Sequence, residues 1–145
     1  MTQSADMPDA IAQLSQMADW EDRYRYILAL GQTLAPLADS EKTPANLVHG
    51  CVSKVWLVPQ VEMSGGQLRL WFCGESDAMI VQGLMALLFT LYAGRTAPEI
   101  AAIDAGAVFD QLGLRRHFTS QRANGLFAMN HRIQTEAQAH LARSC

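Results

Sequence analysis

The stretch from Ala78 to Ala93 constrains the chain most. It is about sixteen residues long, apolar nearly all round apart from Gln82 and Gly83, and short of the roughly twenty residues that a membrane-spanning helix needs. It therefore predicts the central helix of a core, surrounded on every side by the rest of the chain. Ser76 or Asp77 is placed to cap its start, and Gly94 to close its end.

The surrounding elements read in order. Asp9 to Met17, beginning after Pro8, spaces Ile11, Leu14 and Met17 as a short amphipathic helix. Asp19 can cap a second helix that puts Trp20, Tyr24, Ile27, Leu28 and Gly31 on one stripe, with Pro36 marking its end. Ala38 to Asn46 is the most polar stretch and predicts an exposed connection. Val55-Trp56-Leu57-Val58 then switches to strand composition, Ser64-Gly65-Gly66-Gln67 is a turn signal, and Leu68 to Cys73 alternates again, which together predict a hairpin. A two-residue Gly65-Gly66 loop sets Met63 opposite Leu68, Val61 opposite Leu70, Pro59 opposite Phe72 and Glu62 opposite Arg69. The same parity turns Leu57, Val55, Ser53 and Cys51 toward the apolar side, so that Cys51 is expected to be tucked in rather than exposed.

Beyond the apolar segment, Thr96-Ala97-Pro98-Glu99 has capping-box spacing and predicts a short helix to about Ile103. A further helix is expected over Ala107 to Leu112, closed by Gly113. Arg115-Arg116-His117 form a basic corner, and Thr119 or Ser120 caps a last helix carrying Leu126, Met129, Ile133, Ala137 and Leu141. The whole predicts one α+β domain over residues 1–145, with residues 1–8 as an N-terminal tail. Its helices pack on a small antiparallel sheet made of the hairpin, with room for a third strand.

Composition narrows the function. A formal charge of -3, with lysine only at 42 and 54, argues against nucleic acid as a partner. The acidic N-terminus has no signal-peptide pattern, so the expected location is cytoplasmic, with no membrane contact. Cysteines at 51, 73 and 145 form neither a disulfide framework nor a zinc pattern, and phosphate-loop, dinucleotide and zinc-protease motifs are missing. Monomer and homodimer both suit the size.

Cys51 follows Gly50 and precedes Ser53 and Lys54 at the mouth of the first hairpin strand. The glycine gives a partner close access, and Lys54 and His49 would supply positive potential for a thiolate. On the residues alone, Cys51 is either a nucleophile or a buried structural thiol, and His49 either its base or a surface histidine. Cys73 reads as structural and Cys145 as incidental. Arg122 falls in the first turn of the last helix, where a cation opposes the helix dipole, so it is either plainly solvated or aimed at an anion.

Gly50-Cys51-Val52-Ser53-Lys54-Val55-Trp56 resembles the active-site motif of the SufE family of sulfur-acceptor proteins. Trp20-Glu21-Asp22-Arg23-Tyr24, Gly74-Glu75-Ser76-Asp77 with Ile80-Val81-Gln82-Gly83-Leu84, and Ser120-Gln121-Arg122-Ala123-Asn124-Gly125-Leu126 are similar to its other blocks, in family order over about residues 10–140. The chain departs from the family pattern at Ala123-Asn124, where Ser-Gln is more usual, and His49 falls where no fixed residue is expected. The resemblance implies a SufE/IscU-like fold and a persulfide carried on Cys51. The sulfur would be taken from a SufS-like or CsdA-like cysteine desulfurase and passed to a SufBCD-like iron–sulfur scaffold. It implies partner contact or loop control for Gly50, Ser53, Asp77 and Arg122, and no cofactor on this chain, the pyridoxal phosphate belonging to the desulfurase. A CsdE-type paralogue serving another acceptor, a Cys/His hydrolase and a purely structural adaptor are the alternatives.

Overall fold

The computed structural model describes residues 10–51 and 53–144, with side chains to residue 140. The expected tail at 1–8, Pro8 and Asp9, Val52 in the cysteine motif, the Leu141 side chain and Cys145 lie outside the described residues. Helix α1 covers residues 10–16 and α2 covers Trp20–Gly31. Strands β1 (Val55–Ser64) and β2 (Gln67–Ser76) form the hairpin, and α3 (Met79–Tyr92) follows. The two-residue β3 (Arg95–Thr96), α4 (Ala97–Ala102), α5 (Ala105–Gln111), α6 (Leu114–His117) and α7 (Ser120–Ser144) complete the chain. Among the described residues the sheet is antiparallel in the order β1-β2-β3, an α+β arrangement with helices packed against it. No helix among them is long and apolar enough to cross a membrane.

Helix α3 is the centre of the core. Ten of its fourteen residues are buried, and it packs against α2, β2 and α7. Its contact with α2 is glycine-made: a Cβ at Gly31 would come within 2.7 Å of the Gly83 backbone nitrogen, and one at Gly83 would strike the Ile27 carbonyl. The Gln82 side chain completes the contact by donating to the Gly31 carbonyl at 3.1 Å and accepting from Ser76 N at 3.3 Å.

The hairpin has the register expected from its sequence, from Val55 opposite Ser76 to Ser64 opposite Gln67. Gly65 and Gly66 both take positive φ, 62° and 78°, as the tight turn between twisted strands requires. Burial follows that register only near the body. Val55, Leu57 and Leu70 are fully buried on the core face, whereas Met63, Val61 and Leu68, on the same face, are exposed because the ribbon runs past the helices that cover it. On the other face Lys42 lies over Trp56 at 5.6 Å and pairs with Glu75 at 2.8 Å, and Glu75 also accepts from Leu37 N at 2.9 Å. These contacts draw the polar connection, which contains two short 3₁₀ turns (Asp39–Glu41 and Pro44–Asn46), onto the sheet.

Several boundaries differ from the sequence expectation. Helix α2 ends at Gly31, five residues before Pro36, where Gly31 meets Gly83 and the chain leaves through a turn that Thr33 Oγ1 closes on the Leu30 carbonyl. Neither Ser76 nor Asp77 caps α3: its N-cap is Ala78, which has no side-chain cap, because Ser76 ends β2 and the Asp77 carboxylate faces Lys54. Helix α5 starts at Ala105 rather than Ala107, capped by Asp104 through Ala107 N at 3.1 Å. The basic corner folds into one helical turn, with His117 stacked on Trp20 at 4.2 Å. The Thr96–Glu99 capping box forms as expected, and Thr119 caps the first turn of α7 through Arg122 N at 3.3 Å.

Candidate functional site

Residues 49–51 and 53–54 lie on a loop with a closed neck. Leu47 bridges Trp56 in antiparallel fashion, and Val48 N donates to the Val55 carbonyl at 2.8 Å. Gly50 adopts φ 97°, in the left-handed region that favours glycine, and a Cβ built there would sit 3.2 Å from the Ala128 Cβ on α7. The loop thereby lies close against the helix, and Cys51 is brought onto it half-buried, its Sγ donating to the Gly125 carbonyl at 3.5 Å.

Cys51 opens onto a cavity of about 120 Å³ between the loop, α3 and the first turns of α7. Val81, Leu84, Leu126 and Met129 provide its buried apolar wall, and Ser53, Thr119, Gln121 and Arg122 its polar, more exposed part. The fold thus brings Cys51, Ser53 and Arg122 to one cavity from positions 51, 53 and 122 of the chain. Arg122 is half-buried, its guanidinium carbon 5.9 Å from the centre of the Phe118 ring. A partly desolvated cation beside a thiol suits an anion arriving at, or forming in, this cavity.

Asp77 stands apart from the cavity, at the exit limb of the loop. Its carboxylate accepts from Lys54 N at 3.1 Å, and its own N–H donates to the Lys54 carbonyl at 3.3 Å. It therefore ties down the chain just before β1 begins. The electrostatics differ from those expected of the sequence neighbours. His49 and Lys54 are exposed and neither lines the cavity, while burial pushes the Cys51 thiol up from its ordinary pKa. Burial thus favours the neutral form of the Cys51 thiol, and the cation that lines the cavity comes from α7. No histidine is among the residues that line the cavity.

Two contributors escape sequence reading. Gly125 supplies the carbonyl for the thiol and lacks a side chain where a Cβ would lie 3.6 Å from Sγ. Arg132 ties the carbonyls of Ala45 and Leu47 to α7. A glycine inside a long helix is the one sequence signal that points to the first, since it costs helix stability by about 1 kcal/mol relative to alanine and so suggests a close approach. Cys73 sits in β2 opposite Val58, half-buried, with its pKa raised by burial and by Glu41; it takes no part in the cavity. Among the described residues no three His, Cys, Asp or Glu side chains are grouped as metal ligands.

Comparison with known proteins bears on this geometry. The model of the SufE family, described as an Fe-S metabolism associated domain, matches residues 8–137. An uncharacterized SufE-like protein of Rhizobium etli is 47% identical over 124 residues, 86% of this chain and 84% of its own. Another, from Rhizobium meliloti, is 46% identical over 123 residues, 85% of this chain and 88% of its own. The solution structure of a hypothetical protein from Thermus thermophilus matches with a TM-score of 0.71 at 22% identity, covering 94% of this chain and 96% of that one. At that identity the likeness is one of fold.

Proposed function

The chain belongs to the SufE family, whose members accept sulfur and interact with a cysteine desulfurase, and from that premise we propose that Cys51 is its sulfur-accepting residue. The observation that carries the reading is the seat of Cys51: a half-buried thiol opening onto a cavity that an arginine also lines. The Cys51 thiol first gives up its proton to solvent water. The thiolate then attacks the terminal sulfur of the persulfide on the desulfurase cysteine, a new S–S bond forms at Cys51, and the bond to the partner's sulfur breaks, releasing the partner as a thiolate. No net oxidation occurs, because the sulfane sulfur changes hosts at constant oxidation state.

Burial that holds the thiol protonated keeps it a poor nucleophile toward bulk oxidants and disulfides, and the approach of a partner with Arg122 beside the cavity supplies the charge that favours the thiolate. Gly50 allows the loop its conformation, Ser53 lines the cavity, Asp77 holds the exit limb, and Arg122 contacts the anionic sulfur or the partner. The pyridoxal phosphate belongs to the desulfurase, and the sulfur passes on to a SufBCD-like iron–sulfur scaffold. The reading is tested by the cysteine-dependent turnover of SufS-like and CsdA-like desulfurases with this protein added. Stimulation of one of them, lost in Cys51→Ala, is expected and identifies the partner; stimulation undiminished in Cys51→Ala would make the protein an adaptor instead.

A further inference from the structure

We infer that Arg132 is a positioning residue that fixes the seat of Cys51 by fastening the neck of its loop to α7. All three guanidinium nitrogens are engaged: Nη2 donates to the Ala45 carbonyl at 2.7 Å, Nη1 to the Leu47 carbonyl at 3.2 Å, and Nε to Glu136 Oε2 at 3.0 Å. An arginine on a helix surface satisfied by a carboxylate four residues on would need nothing else. Here the fork reaches over to two carbonyls of the limb that enters the loop, with the side chain 21% exposed. Leu47 is the residue that bridges Trp56, so the fastening sits at the neck itself.

The contacts of α7 with the loop follow one helical face at steps of three and four residues. Arg122 lines the cavity, Gly125 takes the thiol, Ala128 abuts Gly50, and Arg132 holds Leu47. The two ends of that face hold with different strength. Charge-assisted hydrogen bonds at the neck are roughly twice as strong as neutral ones, whereas Cys51 is held by one weak S–H donor. The thiol can therefore leave its seat while the neck stays where it is, and the neck sets where the thiol returns. The importance of this for function rests on the sulfur-acceptor reading, but the seat itself does not.

The test is the rate of Cys51 alkylation by iodoacetamide, followed by peptide mass at several low urea concentrations, in the wild type, Arg132→Lys and Arg132→Met. Methionine keeps an apolar stem without the fork, and lysine keeps the charge with one point of contact. Arg132→Met is expected to react about tenfold faster, the factor that one charge-assisted hydrogen bond represents, with Arg132→Lys in between. The rate should be flat in low urea, because a local release exposes little surface. An unchanged rate or a different order of the variants would overturn the assignment, as would a rise that climbs with urea in step with global unfolding. No desulfurase enters the measurement, so a failure of Cys51 to carry sulfur and a failure of Arg132 to seat it are separate results.

Discussion

Cys51 is a residue whose surroundings restrain the reactivity that its position invites. Burial raises its pKa, and the hydrogen bond to the Gly125 carbonyl uses its proton. The pH profile of Cys51 alkylation should therefore have its midpoint above the ordinary cysteine value of about 8.5, and a midpoint at or below that value would contradict the description. The sign carries over to stability. The folded state holds this proton more tightly than the unfolded chain, so the contribution is complete below the unfolded thiol's pKa and is lost as pH rises through the folded value. The cysteine and its motif were legible in the sequence, as was Arg122 from its awkward place at a helix start. Their meeting was not, because the contact of Cys51 with Gly125 spans 74 positions and that of Leu47 with Arg132 spans 85. The local signals around Cys51 also misdirected: His49 and Lys54 are near it in the chain and face solvent, and the cation that shares its cavity lies on another element.

At the scale of elements, the pairing of α2 with α3 decides where the site is built, because α3 presents Val81 and Leu84 to the cavity while its other side meets α2. That pairing depends on two glycines in backbone contact. Gly83→Ala would place a methyl against the Ile27 carbonyl and is expected to lower the unfolding free energy by at least about 1–3 kcal/mol, the usual range for overpacking, despite alanine's better helix propensity. Urea denaturation measures it; an unchanged or raised midpoint would show that the helices do not approach so closely. Element identity was well encoded by periodicity and capping, and the hairpin register by its Gly65-Gly66 turn. What the sequence pattern did not encode was how far the body extends. Alternation places Met63 and Leu68 on the core face, but only the helices determine whether anything covers them. Asp77 shows the same limit: its spacing fits a helix cap, and the nearby Lys54 backbone claims its carboxylate instead.

At the scale of the molecule, the chain places one small cavity where the loop after the polar connection meets α3 and the start of α7, and fastens that loop on both limbs. Asp77 holds the exit through Lys54, and Arg132 holds the entrance through Ala45 and Leu47. Between these ties the thiol is lightly held, which suits a residue that meets its reaction partner on another protein. The most direct test of that account is intact-mass spectrometry after incubation with a cysteine desulfurase, pyridoxal phosphate and cysteine. The protein should gain mass in steps of one sulfur, removable by thiol reductant, and Cys51→Ser should gain none. Absence of any sulfur adduct on the wild type, or an adduct of equal yield on Cys51→Ser, would contradict the assignment of Cys51 as the residue that receives the sulfur.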